Sequence, residues 1–183
     1  MKLERTSTTT YTDVISLATA KAHLRVDGTD EDTLITSLIS TAGEVVEEYT
    51  GQYLSSCSFI YYADHFHEVM RVHAGPGVRI TEVEYIKDDG TTATWSSTNW
   101  YYDQKSFPMR VQFEHLPTDA DDRVNAVRIK GDAGFTAVPS ALKSAMLLII
   151  GHLYEHRKDV LVGVQSAPLV HGAKYLMDKF KPS

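Results

Sequence analysis

The hydrophobic pattern of residues 138–159 predicts a helix that is apolar on nearly every side. Pro139 suits the first turn of a helix, where its missing N–H would have no partner. Apolar residues then follow on one stripe and on most of the remaining surface: Leu142, Ala145, Met146, Ile149 and Leu153, with Leu147, Leu148, Ile150 and Tyr154. Such a helix is buried on almost all sides. Because a chain of 183 residues can surround it only in part, we expect copies of the chain or partner proteins to cover the remainder.

Two further helices are predicted near the N-terminus. Ser16 is a plausible N-cap for a short helix over 17–26, and Thr29 with Asp32 reads as a capping box for the next helix. That second helix carries apolar residues at i, i+3, i+4 and i+7 from Leu34 to Tyr49. It is expected to end at Gly51, which suits a left-handed C-terminal position.

Residues 55–135 have the pattern of a β region. Short β-branched and aromatic runs alternate with Gly, Pro, Asp and Asn, and Asp89-Gly90 predicts the turn of a hairpin. The fold class is therefore α+β. We expect a helical bundle, with two N-terminal helices and one long and one short C-terminal helix, and an inserted antiparallel β-sheet or small sandwich. The expected organisation is a single domain, 1–183, with a helical part at 13–52 and 138–181 and a β insertion at 55–135.

Composition narrows the class of function. The formal net charge of −6 argues against a clamp for duplex DNA, which needs a basic face. The single cysteine, Cys57, allows no internal disulfide and fits a reducing cytoplasm. The polar N-terminal residues lack the apolar run of a signal peptide. The apolar run 145–150 is far shorter than the roughly 20 residues that span a bilayer, so no membrane contact is expected.

One motif is typical of zinc enzymes. His152, Glu155 and His156 form a literal H-x-x-E-H, in which the two histidines share a helix face and the glutamate could activate water. The pattern fixes only three positions, and a third ligand is not evident. A metal-dependent hydrolase is therefore the weaker alternative, and the sequence predicts no metal, no cofactor and no catalytic residue.

Other clusters also have a simpler reading. His65 and His67 could form half of a metal site but are interpreted as edge-strand histidines that face water. Asp119, Asp121 and Asp122 could bind calcium but are interpreted as a solvated loop. Trp95, Trp100, Tyr101 and Tyr102 could form a stacking platform but are interpreted as the core of the sheet. The enzyme hypothesis is thus the less favoured one.

Three segments together resemble the head–tail connector (adaptor) proteins of long-tailed phages. They are SLATAKAHLRVDGTDEDTLITSLISTAGEVVEEYTGQ at 16–52, VRITEVEYIKDDGT at 78–91 and AVPSALKSAMLLIIGHLYEHRKDVLVG at 137–163. The resemblance is to the larger branch with a β insertion, whose members are described as DNA-packaging or connector proteins.

The resemblance implies a structural virion protein of the neck, the head–tail junction, assembled in the host cytoplasm. Members form a ring, dodecameric in mature particles. The portal protein lies on one side of the ring and a stopper or tail-completion protein on the other. DNA then passes through the channel without sequence-specific binding. A stopper or tail-terminator of the same neck is the closest alternative, and the family brings no catalytic residues.

A ring subunit packs one face of each copy against a different face of the next. The long helix, its exposed end and the last helix are the candidates for such contacts, because interface cores favour apolar, Tyr and Arg side chains. The expected subunit or partner interface consists of Leu147, Ile150, Tyr154, Arg157, Lys158, Tyr175 and Phe180.

Overall fold

The structure is a computed structural model that describes residues 2–7, 10–106, 108–156 and 171–181. This part of the chain confirms the α+β class. Its helices are α1 (Leu17–Leu24), α2 (Asp32–Thr50), α3 (Ser140–Glu155) and α4 (His171–Asp178). Its strands are β1 (Lys2–Arg5), β2 (Cys57–Ala63), β3 (Val69–Val72), β4 (Arg79–Ile86), β5 (Thr92–Thr94), β6 (Trp100–Asp103), β7 (Met109–Phe113) and β8 (Val127–Ala133).

The chain divides into two compact units. The β unit comprises Met1–Thr9 and Ser56–Thr136, and the helical unit comprises Thr10–Ser55 and Ala137–Ser183. The single-domain organisation 1–183 stays a prediction, whereas strand β1 was not predicted from the sequence. This four-residue strand is mostly polar and is defined by its antiparallel pairing with β2, which local sequence does not reveal.

The β unit contains two antiparallel sheets. One has the strand order β1-β2-β8-β4-β5 and the other β3-β7-β6. Strands β2 and β8 alternate strictly between buried and half-buried residues, as expected for a sheet with one core face. Phe66 joins the two sheets, because its ring makes edge-on contacts with Tyr85 of β4 (centroids 5.8 Å apart) and Phe113 of β7 (5.2 Å).

The predicted hairpin is confirmed between β4 and β5. The N–H of Gly90 donates to the carbonyl of Lys87 at 2.8 Å, and Gly90 has a φ of +84°. Only a residue without a Cβ adopts this left-handed conformation at low cost.

The helical unit is built around α3, which packs against α1, α2 and α4. Five α3 side chains are buried: Leu142, Ala145, Met146, Ile149 and Ile150. On the facing helix, α2 buries a stripe at helical spacing: Ile35, Ile39, Ala42 and Val46. Among the described residues, no helix is both long enough and apolar enough to cross a membrane.

The predicted helix ends are confirmed at Ser16 and Gly51 but not at Thr29. The Ser16 hydroxyl accepts from the N–H of Thr19 at 3.2 Å, and Gly51 ends α2 with a φ of +66°. Helix α2 begins only at Asp32, and no side chain caps it. Asp32 instead accepts from Lys21 of α1 at 2.6 Å, and Lys21 also donates to the Gly28 carbonyl. The ion pair between helices therefore replaces the expected capping box.

A tyrosine that precedes α1 packs directly on the α2 backbone. An ideal Cβ on Gly43 would lie 2.2 Å from Cδ1 of Tyr11, so no larger residue fits there. The Tyr11 hydroxyl donates to Glu47 at 2.9 Å, and Glu47 also accepts from the N–H of Leu54 at 2.7 Å. Glu47 thereby ties the segment before α1 and the segment after α2 to the same helix.

Replacing Gly43 by alanine should destabilise the chain. At an exposed helix position this change stabilises by up to about 1 kcal/mol, whereas here overpacking against Tyr11 should cost about 1–3 kcal/mol. Urea unfolding measures the net effect. The same substitution combined with Tyr11→Ala should show strong non-additivity, and equal effects of Gly43→Ala in both backgrounds would contradict the contact.

Candidate assembly surface

Helix α3 is covered by its own chain, contrary to the expectation that copies or partners shield it. Ile150 is fully buried, and no large apolar side chain of α3 is exposed. Leu147 and Tyr154 are half-buried. The reason is that α1, α2 and α4 of the same chain pack on α3 and supply the cover that was expected from other subunits. Ile150 is therefore a core residue and not an interface residue.

Tyr154 makes a contact within the chain. Its hydroxyl donates to the carboxylate of Glu31, the residue that immediately precedes α2. The bond links the C-terminal end of α3 to the N-terminal end of α2. Tyr154 thus orders the helical unit through its hydroxyl. Arg157 and Lys158, the next two predicted interface residues, lie outside the described residues.

Helix α4 is buried on one side and exposed on the other. Ala173 and Met177, about one turn apart, have no exposed surface. Gly172 lies so close to α3 that an ideal Cβ there would be 3.4 Å from Cδ1 of Leu148. Tyr175 lies two residues beyond Ala173, about 200° around the helix, and is 80% exposed.

Polar contacts fix the C-terminal end of α4 to α2. The Tyr49 hydroxyl donates to Oδ1 of Asp178 at 2.5 Å, and this bond raises the pKa of Tyr49. Gln52 donates from Nε2 to the carbonyl of Phe180 at 2.7 Å. The Nζ of Lys181 lies 3.9 Å from the centroid of the Tyr49 ring, a cation–π distance. Phe180 is half-buried as a result.

These contacts leave a defined patch, here called the α4 face, that consists of Lys174, Tyr175 and Lys179. All three residues are exposed. The patch combines a large aromatic side chain with two cations, in a chain whose net charge is −6. Because α4 is held rigidly from behind, Tyr175 is presented at little cost in backbone order, which favours a docking role. Among the five predicted interface residues that the structure describes, Tyr175 is the most exposed.

The H-x-x-E-H motif does not form a complete metal site within the described residues. His152 and His156 stack with ring centroids 4.6 Å apart, and Nδ1 of His156 lies 3.0 Å from the carbonyl of His152. Within the described residues, no group of three or more His, Cys, Asp or Glu side chains could hold a metal ion. The alternative of a hydrolase using His152, Glu155 and His156 therefore lacks a third ligand in this part of the chain.

The loop carboxylates form ion pairs instead of a calcium site. Asp119 accepts from the Tyr85 hydroxyl at 2.9 Å and lies 3.2 Å from Nζ of Lys87, and both contacts lower the pKa of Asp119. Asp121 accepts from Arg123. Asp122 lies 3.1 Å from Nδ1 of His65.

The predicted aromatic cluster divides between core and surface. Trp100 is buried, and Trp95 is half-buried against Tyr85 with ring centroids 5.9 Å apart. Tyr101 is 50% exposed. A continuous stacking platform is therefore not formed by these residues.

The whole chain has the fold of proteins found in particle necks. A chain in the neck of an empty gene transfer agent particle, computed with C6 symmetry, matches with a TM-score of 0.77 at 20% identity. Chains in the native particle's virion and in its neck computed with C12 symmetry each give 0.74, at 21% and 20% identity. In all three, the match covers 100% of this chain and 96% of the other. At this identity the likeness establishes the fold.

The sequence adds the family. Residues 14–107, just over half of the chain, match the phage gp6-like head-tail connector protein family. The chain therefore belongs to this family of head-tail connector proteins. The resemblance drawn from the motifs at 16–52 and 78–91 is confirmed. No protein of curated function matches the chain.

Two substitutions on α4 should separate packing from docking. Met177→Ala removes a fully buried side chain and should lower the free energy of unfolding by about 2–4 kcal/mol. Tyr175→Ala, on the opposite side of the same helix, should change it by less than about 0.5 kcal/mol. Urea titrations of the two variants compare them directly. Equal losses would show that Tyr175 is not the exposed residue described above.

Proposed function

We propose that the chain is the adaptor subunit of a phage-type neck. Copies form a closed ring, a dodecamer, with the portal protein on one side and a stopper or tail-completion protein on the other. DNA passes through the ring channel without sequence-specific contacts. The subunit folds in the host cytoplasm and ends in the virion neck.

The full-length likeness to neck chains carries this proposal. It includes the β unit as well as the helical unit, so the entire chain has counterparts in proteins that occur in symmetric necks. The symmetries named for those particles, C6 and C12, are both compatible with a ring of twelve copies. Family membership supports a position between head and tail.

The charge of the chain supports passive passage of DNA. A ring of subunits with a net charge of −6 each repels phosphates overall, whereas a basic lumen would bind them and release counterions. The α4 face is the best-supported docking surface for a neck partner, since Tyr175 and its two lysines are exposed and rigidly backed.

Stepwise reconstitution distinguishes the adaptor from a stopper or tail-terminator. The purified chain is added to capsids that carry the portal but no other neck protein, and the particles are imaged by cryo-electron microscopy. An adaptor should form a twelve-copy ring directly against the portal. Binding only after another neck protein is added would assign the chain to a lower position, and binding at neither stage would contradict the neck role.

Replacing Tyr175 by serine should reduce occupancy of the neck by at least about tenfold, the loss expected for an aromatic anchor at an interface. Folding should be unchanged, because the side chain is 80% exposed. Val124→Ser is the matched control, since Val124 is 74% exposed in the β unit. Ring occupancy per particle is the readout. Similar ring occupancy for both variants and the wild type would show that the α4 face does not contact a neck partner.

A further inference from the structure

The outer face of the three-stranded sheet places two arginines directly opposite each other. Arg71 of β3 is paired in register with Arg110 of β7, and both are exposed. Like charges in this position destabilise a strand pair. Asp103 of β6 is Arg110's neighbour on the other side and accepts from its guanidinium at 2.7 Å, which lowers the pKa of Asp103 to about 2. Within the described residues, Arg71 has no ion-pair partner.

An apolar row lies next to the arginines. Val69 and Tyr101 flank Gln112 in register, and they are 44% and 50% exposed. The acidic residues Glu68 and Glu114 lie at the far end of these strands, away from the arginines. This combination of Tyr, Arg and an aliphatic residue on one sheet face is typical of an interface core. The surface made by Val69, Arg71, Tyr101 and Arg110 is here called the arginine face.

Helix α2 carries the opposite arrangement. It contains no Lys or Arg. Of its four acidic residues, Asp32 is paired with Lys21 and Glu47 accepts from Tyr11. Glu44 and Glu48, one turn apart, are exposed and have no cation partner in the described part of the chain. Like charges at i and i+4 destabilise the helix that carries them.

Apolar groups accompany these glutamates along α2. Leu34 is 36% exposed and Val45 is half-buried, and helical spacing places both on the same side as Glu48. The surface formed by Leu34, Glu44, Val45 and Glu48 is here called the glutamate face.

We propose that the arginine face of one copy packs against the glutamate face of the next copy in the ring. This inference rests on the proposed ring. Cross-strand neighbours and residues one helical turn apart both have Cβ atoms about 5–6 Å apart, so two guanidinium groups can meet two carboxylates pair by pair. The contact joins two different surfaces, which is the heterologous type that closes rings.

A second copy suits the surface better than DNA does. Phosphates would satisfy Arg71, but they would not cover Val69 and Tyr101, and they would leave Glu44 and Glu48 without cations. A neighbouring copy relieves both like-charge pairs and buries apolar groups from both faces.

Two single charge reversals test the pairing. Arg71→Glu places a carboxylate opposite Arg110, and Glu48→Lys places a cation one turn after Glu44. Each change turns a like-charge pair into an opposite-charge pair within the same subunit. Each variant should therefore be at least as stable as the wild type towards unfolding in urea. Alone, each should weaken self-association by about tenfold or more, because like charges then meet across the contact.

An equimolar mixture of the two variants should recover assembly. In a ring where the two variants alternate, every second contact joins the reversed arginine face of one variant to the reversed glutamate face of the other, so that a carboxylate again meets a cation. The remaining contacts join the unaltered arginine face and the unaltered glutamate face. An even-numbered ring can therefore close without a like-charge contact. Sedimentation velocity over a range of concentrations and ring occupancy on neck particles measure the recovery. Arg25→Glu is the charge-matched control, since Arg25 is exposed at the end of α1, away from both faces in sequence, and its reversal should leave assembly unchanged.

The other outcomes would overturn the pairing. If both single variants assemble as the wild type does, the pairing of the two faces is wrong, but the proposed ring is unaffected. Loss in both without recovery on mixing would show that Arg71 does not face Glu48 across the contact. Unchanged self-association of the Arg71→Glu variant with weaker retention of DNA would assign the arginine face to nucleic acid. A wild-type chain that forms no ring on particles would contradict the proposed function as well.

Discussion

The structure depends on the burial of α3. Its side chains Leu142, Met146 and Ile150 lie one turn apart along one stripe and have no exposed surface, and none of its other large apolar side chains is exposed. The chain achieves this by bringing α1 and α2 from its N-terminal part and α4 from its C-terminal part around one helix. Most of the β unit, residues 56–136, lies between α2 and α3 along the chain, and its first strand β1 precedes α1.

Self-coverage of α3 changes where assembly contacts are to be sought. An exposed apolar helix would bind neighbours through the hydrophobic effect alone, which is not directional. The described surface offers instead small patches that combine one or two large side chains with charges, at Tyr175 and at Arg71 with Tyr101. Such patches favour specific partners, because mismatched charges are costly at an interface. The proposed adaptor role requires this property, because an adaptor has to select both its own copies and unlike proteins.

Local chemistry made much of the fold predictable. Ser16, Gly51 and the Asp89-Gly90 turn act within a few residues, so the sequence indicates them directly. The features that sequence reasoning missed depend on distant partners: β1 exists through its pairing with β2, and Lys21 replaces the cap expected from Thr29. Ile150 was misassigned because helices of its own chain pack around α3 and bury it. Tyr175 was proposed as an interface residue because interface cores favour tyrosine, whereas Arg71 facing Arg110 required the register of two separate strands.

Amide hydrogen exchange on the free subunit and on assembled necks tests the central claim most directly. If α3 is buried by its own chain, its amides should be strongly protected in the monomer and should gain little protection in the ring. New protection should appear instead around Tyr175 and in the three-stranded sheet. Fast exchange along α3 in the free subunit, with protection only after assembly, would show that neighbouring copies cover this helix and would contradict the account.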